Sequence, residues 1–236
     1  MTLDRRRFLT LSAASVSAAL LGACGGDAER LHPLLDLAER RNESLERKLF
    51  HAGSRDRPPL DAAVAGEGMP SYFVSKHMPE WDPAVRGAWR LEVSGAVRTP
   101  LSLSLDDLVK LPRISQKVDH YCVEGWNARV QFSGVRVSDL ARLAGATDDA
   151  QYVDFQSFDD DYHESWDMAS AMHPQTIVVI AKDGHFLNAS YGAPARVHSP
   201  VKLGYKNTKY LTKVVFMPKR NGGYWSDLGY EWYGGT

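Results

Sequence analysis

Cys122 is the residue with the most chemistry to offer, and its neighbours narrow what that chemistry can be. It lies in Asp119-His120-Tyr121-Cys122-Val123-Glu124-Gly125-Trp126. A cysteine leaving a strand into a Glu-Gly-Trp turn is placed to face a cavity. Three uses compete. As a nucleophile it needs a base to make the thiolate. His120 is the nearest histidine, and a spacing of two on a strand puts both on one face without guaranteeing contact. As a zinc ligand it needs three more ligands. The eight histidines, at 32, 51, 77, 120, 163, 173, 185 and 198, offer no His-x-x-x-His pair, and no second cysteine is near, so the spacing disfavours zinc. As a lone thiolate on a redox metal whose other ligands come from a cofactor, it needs no protein partner. An inert buried thiol is the plain alternative.

The second chemical feature is a run of cations. The whole chain carries a net charge of −1, but residues 184–226 contain no Asp or Glu. They do contain Arg196, Lys202, Lys206, Lys209, Lys213, Lys219 and Arg220, formally +7, against −10 for the rest of the chain from residue 24 onward. Such a stretch is either a solvated basic face or an anion site, because clustered Lys and Arg attract phosphate. A near-neutral total gives no reason to expect a nucleic-acid partner.

These residues need a scaffold. The 236 residues, 44% hydrophobic and 24% charged, suffice for one substantial domain and exclude a disordered or fibrous chain. No run of 18 apolar residues occurs. Trp89, Leu91 and Val93 alternate with Arg90, Glu92 and Ser94, a half-buried strand. Further strands are expected at 114–121, 128–132, 151–156, 163–168, 176–181 and 209–217. Ile177-Val178-Val179-Ile180 is apolar on both faces and should be central. Ser104 opens a helix carrying Leu105, Leu108 and Leu111, and Ser138 is expected to cap another that Gly145 ends. Strands outnumber helices without alternating with them, so the fold is α+β, a mixed and largely β core with short peripheral helices. No dinucleotide-binding or phosphate-binding glycine loop is present.

The N-terminus reads as an address. Arg5, Arg6 and Arg7 precede Phe8-Leu9 and a short apolar stretch to Leu21, a pattern that resembles the twin-arginine export signal. Leu21-Gly22-Ala23-Cys24 then resembles a lipobox, which makes Cys24 a lipidation site and the protein extracytoplasmic or periplasmic, lipid-anchored to a membrane. Cys122 is then left without a disulfide partner. The expected organisation is a signal at 1–23, a linker with a charged helix at 24–63, and a domain at 64–236. Leu31, Leu34, Leu35, Leu45 and Leu49 place the helix over roughly 30–50.

His120-Tyr121-Cys122-Val123-Glu124-Gly125-Trp126 resembles the molybdenum-binding segment of the sulfite-oxidase family. It is most similar to the exported bacterial branch that includes the catalytic subunit of periplasmic methionine-sulfoxide reductase. A second stretch, Tyr191-Gly192-Ala193-Pro194-Ala195-Arg196 followed by Pro200-Val201-Lys202-Leu203-Gly204-Tyr205-Lys206-Asn207-Thr208-Lys209-Tyr210, looks like the family's second signature. The resemblance covers roughly residues 64–236 and implies the sulfite-oxidase-like molybdopterin-binding fold. It also implies a molybdenum–molybdopterin cofactor whose only protein ligand is Cys122. Arg196 should then contact the pterin or its phosphate, and Tyr191 should line the pterin pocket, although many relatives have His or Asn there. Lys206, Asn207, Thr208 and Lys209 fall on the phosphate side, and Ser157 falls where relatives have a short polar or acidic contact. His77, in Lys76-His77-Met78-Pro79, resembles the histidine of the family's Asn-His-x-Pro segment, with Ser75 and Lys76 departing from it.

The resemblance implies oxygen-atom transfer, first of all reduction of a sulfoxide or similar S- or N-oxide, either small or protein-bound. Sulfite oxidation is second, because no arginine-rich anion pocket is evident near Cys122. The sequence has no Cys-x-x-Cys-His haem site and no cysteine cluster, so electrons are expected from a separate membrane haem partner of the cytochrome b type. The chain is expected to act as a monomeric catalytic subunit carried by the twin-arginine export machinery. A non-catalytic ligand-binding envelope lipoprotein and a thiol nucleophile are the competing readings. Tyr121, Glu124 and Trp126 flank the metal ligand and are candidates to shape the substrate mouth, with Glu124 reading first as a structural hydrogen-bond acceptor. Asp159-Asp160-Asp161-Tyr162-His163 reads first as a solvated turn and second as a pocket rim, and the aromatic-rich tail from Tyr224 to Tyr233 as a cover packed over the domain.

Overall fold

A computed structural model of the chain describes residues 28–50 and 69–236. Cys24, the expected signal and the boundaries at 23/24 and 63/64 lie outside the described residues. Helix α1 (Ala28–Phe50) matches the leucine spacing, and Arg47 and Lys48 sit in its last turn, where the helix dipole favours cations. The boundary between two compact units falls within α1, after Leu45. No helix among the described residues is long and apolar enough to cross a membrane.

The second unit holds two sheets. One has the order β2 (Leu101–Leu103), β1 (Leu91–Gly95), β10 (Leu211–Met217), β5 (Tyr152–Ser157), β6 (His163–Asp167). Only its β1–β10 pair is parallel. The other runs β3 (Ile114–Tyr121), β4 (Asn127–Arg136), β7 (Ile177–Lys182), and β7 carries β8 (His185–Phe186) and β9 (Arg196–His198) on its far edge. Short helix α2 (Pro83–Arg86) precedes β1, α3 (Leu105–Lys110), α4 (Val137–Ala144) and α5 (Met168–Ala171) lie between strands, and α6 (Tyr224–Asp227) follows β10. The architecture is the mixed, mostly β arrangement expected from the sequence.

Burial explains the strand patterns. Leu91 and Val93 are buried while Glu92 is exposed, because β1 covers the core with one face. In β7 the four residues Ile177–Ile180 are all fully buried. Val178 and Ile180 join the main core with Leu91, Val153 and Phe155, while Ile177 and Val179 join a second cluster with Val118, Val130 and Phe132. A strand covered on both faces has no polar alternation to keep.

Helix α3 starts with a capping box in which Ser104 Oγ accepts the Asp107 N–H at 3.1 Å and the Asp107 carboxylate accepts the Ser104 N–H at 2.9 Å. Helix α4 ends on left-handed Gly145 as expected, but Ser138 is not its cap. Strand β4 pairs through Arg136 with Ile177, and the Val137 N–H donates to the Thr176 carbonyl, so the strand runs directly into the helix. Strand β10 begins at Leu211 rather than at 209, because Tyr210 adopts φ +56° and turns Lys209 and Tyr210 out of the ladder.

The pairing of β4 with β7 shifts register at Ser133/Gly134. A Cβ on Gly134 would lie 2.0 Å from the Val178 carbonyl oxygen. Gly134→Ala should therefore cost about 3 kcal/mol by forcing the two central strands apart. Urea unfolding of the full chain measures the loss.

Candidate active site

Five segments converge on a cavity of about 350 Å³: residues 69–74, the β3–β4 hairpin tip, the turn after β5, the loop after β9, and the tail near 225–230. The hairpin tip is built around Cys122. Tyr121 and Asn127 form the last strand pair, the Cys122 N–H donates to Trp126 O at 2.9 Å, and the Gly125 N–H donates to Cys122 O at 3.0 Å. Gly125 takes φ +88°, which the turn requires. The Cys122 thiol is free and half-buried. Burial pushes its pKa up and the Glu124 charge adds to this, while the backbone N–H groups of Glu124 and Val123 pull the other way.

His120, behind Cys122, is fully inside the protein. Burial drives its pKa down to about 3, and repulsion from Arg196 and Lys209 adds to the effect, so the ring is neutral. Its Nδ1 has no hydrogen-bond partner among the described residues. The ring lies 5.4 Å from that of His198 and tilted to it by 35°, and burial also keeps His198 neutral. Gly204 packs directly on His120, where a Cβ would come within 2.8 Å of Nε2. Among the described residues His120 makes no hydrogen bond to Cys122, and burial leaves it too weakly basic to take the thiol proton.

The cations of the 184–226 stretch divide into two kinds. Lys206, fully buried, pairs with Glu164, which also accepts the Trp225 N–H at 3.0 Å and the Ser226 hydroxyl at 3.3 Å. Lys202 pairs with Asp167 at 3.4 Å and lies 3.6 Å from the Tyr233 ring centroid. These two are structural posts. Arg196 and Lys209 line the cavity instead. Arg196 is 1% exposed, donates to the carbonyls of Asn207 at 3.2 Å and Tyr191 at 3.4 Å, and leaves Nε without a partner. Burial lowers its pKa to about 10, so it stays charged near neutrality. Burial lowers Lys209 to about 7, Arg196 pushes the same way, and Asp159 opposes. Among the described residues neither cation makes an ion pair.

The structure thus gathers Cys122, Arg196, Asn207 and Lys209 from the residues singled out in the sequence. It does not bring the others there. Lys206 is held by Glu164. Thr208 is buried with an unpartnered hydroxyl but is not a wall residue. Asn207 spends its side chain on the loop, accepting the Ser199 N–H at 2.7 Å and donating to the carbonyls of Lys202 and Leu203. Tyr191 offers Arg196 its carbonyl, while its ring lies under Lys182 at 4.6 Å. Ser157 accepts the Asp159 N–H at 2.9 Å, and exposed His77 lies off the wall.

The wall also holds residues that the sequence places there only as a second reading or not at all. Asp159 is buried, not solvated. Its carboxylate accepts the N–H groups of Val74 and Ser75 at 2.7 and 2.8 Å and the Ser75 hydroxyl, pinning the segment that carries Tyr72 and Phe73. No local pattern announces a contact spanning 84 residues. Tyr210 reaches the wall through its left-handed backbone, and Trp225 and Tyr230 of the tail line it as well. The tail also buries Trp232 and Tyr233, as its aromatic content suggests.

Residues 76–225 match the family described as the oxidoreductase molybdopterin binding domain. Over 98% of its length the chain is 39% identical to a protein of Azospira oryzae provisionally named protein-methionine-sulfoxide reductase subunit YedZ1, of which it covers 88%. It is 28% identical to the protein-methionine-sulfoxide reductase catalytic subunit MsrP of Burkholderia mallei, over 98% of this chain and 74% of that one. The sulfane dehydrogenase SoxCD of Paracoccus pantotrophus shares the fold, with a TM-score of 0.55 and 20% identity over 60% of this chain and 40% of that one.

Lys206→Met alone should cost about 3–5 kcal/mol, because Glu164 is left charged and buried. Adding Glu164→Leu should recover most of that loss, read as a double-mutant cycle in urea. Lys209 predicts a pH effect in cofactor-free protein. Between about pH 7 and the unfolded value of 10.5 the unfolded chain keeps a proton that the native lysine has lost, so stability rises with pH there. Lys209→Met should remove a slope of up to about 1.4 kcal/mol per pH unit. Equal slopes in both proteins would contradict the burial effect on Lys209.

Proposed function

The chain belongs to the molybdopterin-binding oxidoreductase family, and from that premise we propose that it reduces a sulfoxide at Cys122, as the names of its relatives suggest. The observation that carries the reading is one free thiol sharing a cavity with the buried guanidinium of Arg196 and the half-buried Lys209, neither of which forms an ion pair among the described residues. A buried charge without a partner is costly, and an anionic cofactor removes that cost.

The wall fits such a group. Arg196 Nε, His120 Nδ1 and the Tyr210 hydroxyl are buried wall atoms without partners, ready for a polar, anionic pterin and its phosphate. A soft thiolate suits molybdenum. The bound cofactor supplies a two-electron centre that exchanges one oxygen atom with substrate. The net reaction takes a sulfoxide, two electrons and two protons to a thioether and water.

Cys122 would hold the metal as a thiolate. Its free pKa is raised, so metal binding must displace the thiol proton. Arg196 and Lys209 would hold the anionic end of the cofactor. Neutral His120 carries no charge to compete with them. Tyr72, Trp126, Tyr205 and Trp225 would exclude water from the reacting atoms.

The electrons come from a partner outside this chain, proposed to be a membrane haem protein of the cytochrome b type. Export by the twin-arginine route, supported by Arg5-Arg6 and Phe8-Leu9, would carry the folded, loaded protein out. A lipid on Cys24 would then hold it beside that partner.

Elemental analysis of exported full-length protein should find about one molybdenum per chain, and Cys122→Ser should lose it. The loaded protein should reduce a methyl sulfoxide with a reduced dye and resist alkylation at Cys122. Absence of molybdenum from folded protein would overturn the reading.

A further inference from the structure

The polar groups of the site are divided by sign along its depth. Of the two cations of the wall, Arg196 is buried, at 1% exposed, and Lys209 is half-buried. The carboxylate at the opening is Glu124, on the hairpin tip two residues after Cys122 and exposed to solvent. It is fixed in place. Its Oε2 accepts the Tyr72 hydroxyl at 2.7 Å and the Trp126 Nε1–H at 3.1 Å, and Tyr72 and Trp126 stack at 6.3 Å. Both donors favour the ionised carboxylate. The surrounding rim is uncharged: Tyr72, Phe73, Val123 and Tyr230 are exposed there. The other wall carboxylate, Asp159, is buried and occupied by the N–H groups of Val74 and Ser75.

A molecule approaching the Cys122 sulfur therefore meets a fixed negative charge before any positive one.

We infer that Glu124 is a specificity-determining charge filter, which admits neutral and cationic S-oxides to the Cys122 side of the cavity and turns away anionic ones, sulfite included. The inference rests on the sulfoxide reading for its substrates, but the filter is a property of the protein surface and can be read without turnover. One unit charge a few ångströms from the reacting group, partly screened by water, corresponds to a discrimination of roughly tenfold between oppositely charged molecules.

Two measurements test it. The first uses loaded full-length enzyme and a reduced viologen dye with three methyl sulfoxides of matched size, ending in an ammonium, an amide or a carboxylate. The kcat/KM values should fall in that order, about tenfold from first to last, with the difference in KM and shrinking as salt rises. Glu124→Gln should bring the three values together by improving the carboxylate substrate. Tyr72→Phe keeps the charge while disturbing the rim, so it should keep the order.

The second uses the cofactor-free full chain with Cys24→Ser, so that Cys122 is its only thiol. Cationic and anionic methanethiosulfonates are compared as Cys122 modifiers, and Glu124→Gln should lower the cation-to-anion rate ratio about tenfold. Equal handling of the three sulfoxides, or a reagent ratio unmoved by Glu124→Gln, would overturn the filter. If no sulfoxide is reduced but the reagent ratio shifts as stated, the filter stands and the sulfoxide reading falls.

Discussion

Arg196 and Lys209 bring two positive groups into one interior wall, and among the described residues no carboxylate forms an ion pair with either. The rest of the domain is arranged around that constraint. Strand β9 brings Arg196 and the loop after it brings Lys209, and that loop contains no acidic residue to brace them. Asn207 braces it instead, tying Ser199 to Lys202 and Leu203 and presenting its own carbonyl to Arg196. Lys202 and Lys206, from the same loop, are neutralised by Asp167 and Glu164 of β6. Two cations are thus spent on anchoring the loop so that the other two can be left for a ligand. An ion pair buried this deeply adds little net stability but fixes geometry, since its groups tolerate no other arrangement.

The second requirement is that the wall stay closed on the thiol side. The hairpin tip is short, and Glu124 and Trp126 reach from it to Tyr72 on a segment with no regular structure. That segment is secured from beneath by Asp159, which is itself oriented by Ser157. Each link is an ordinary hydrogen bond. Together they hold an irregular stretch of chain against the hairpin, where packing alone would leave it loose.

Most of the scaffold was legible in the sequence. Alternation in β1, the double-sided apolar run in β7 and the capping box of α3 each depend on neighbours within a few residues, so a local reading finds them. Cys122 and the cation run stood out by residue type. The roles within the run did not, because whether a lysine faces a ligand or a glutamate depends on which strand passes beside it. Lys206 and Lys209 are three residues apart and indistinguishable by composition, yet Glu164 claims the first and the left-handed turn at Tyr210 frees the second for the cavity. For Asp159 the second reading, a pocket rim, is the one the structure bears out: a run of three aspartates suggests water, and only the segment lying over it makes the first of them a buried anchor.

The parallel pairing of β1 with β10 joins residues 91–95 to residues 211–217. Between the two lie the hairpins β3–β4, β5–β6 and β7–β8, and contacts so distant in sequence form slowly. On a ribosome, β1 emerges long before its neighbour and stays with one edge unfilled in the meantime. The cavity is later still, since its last wall in chain order comes from Trp225 and Tyr230. Enclosure of a ligand by this wall therefore has to wait until residues 225–230 have been made.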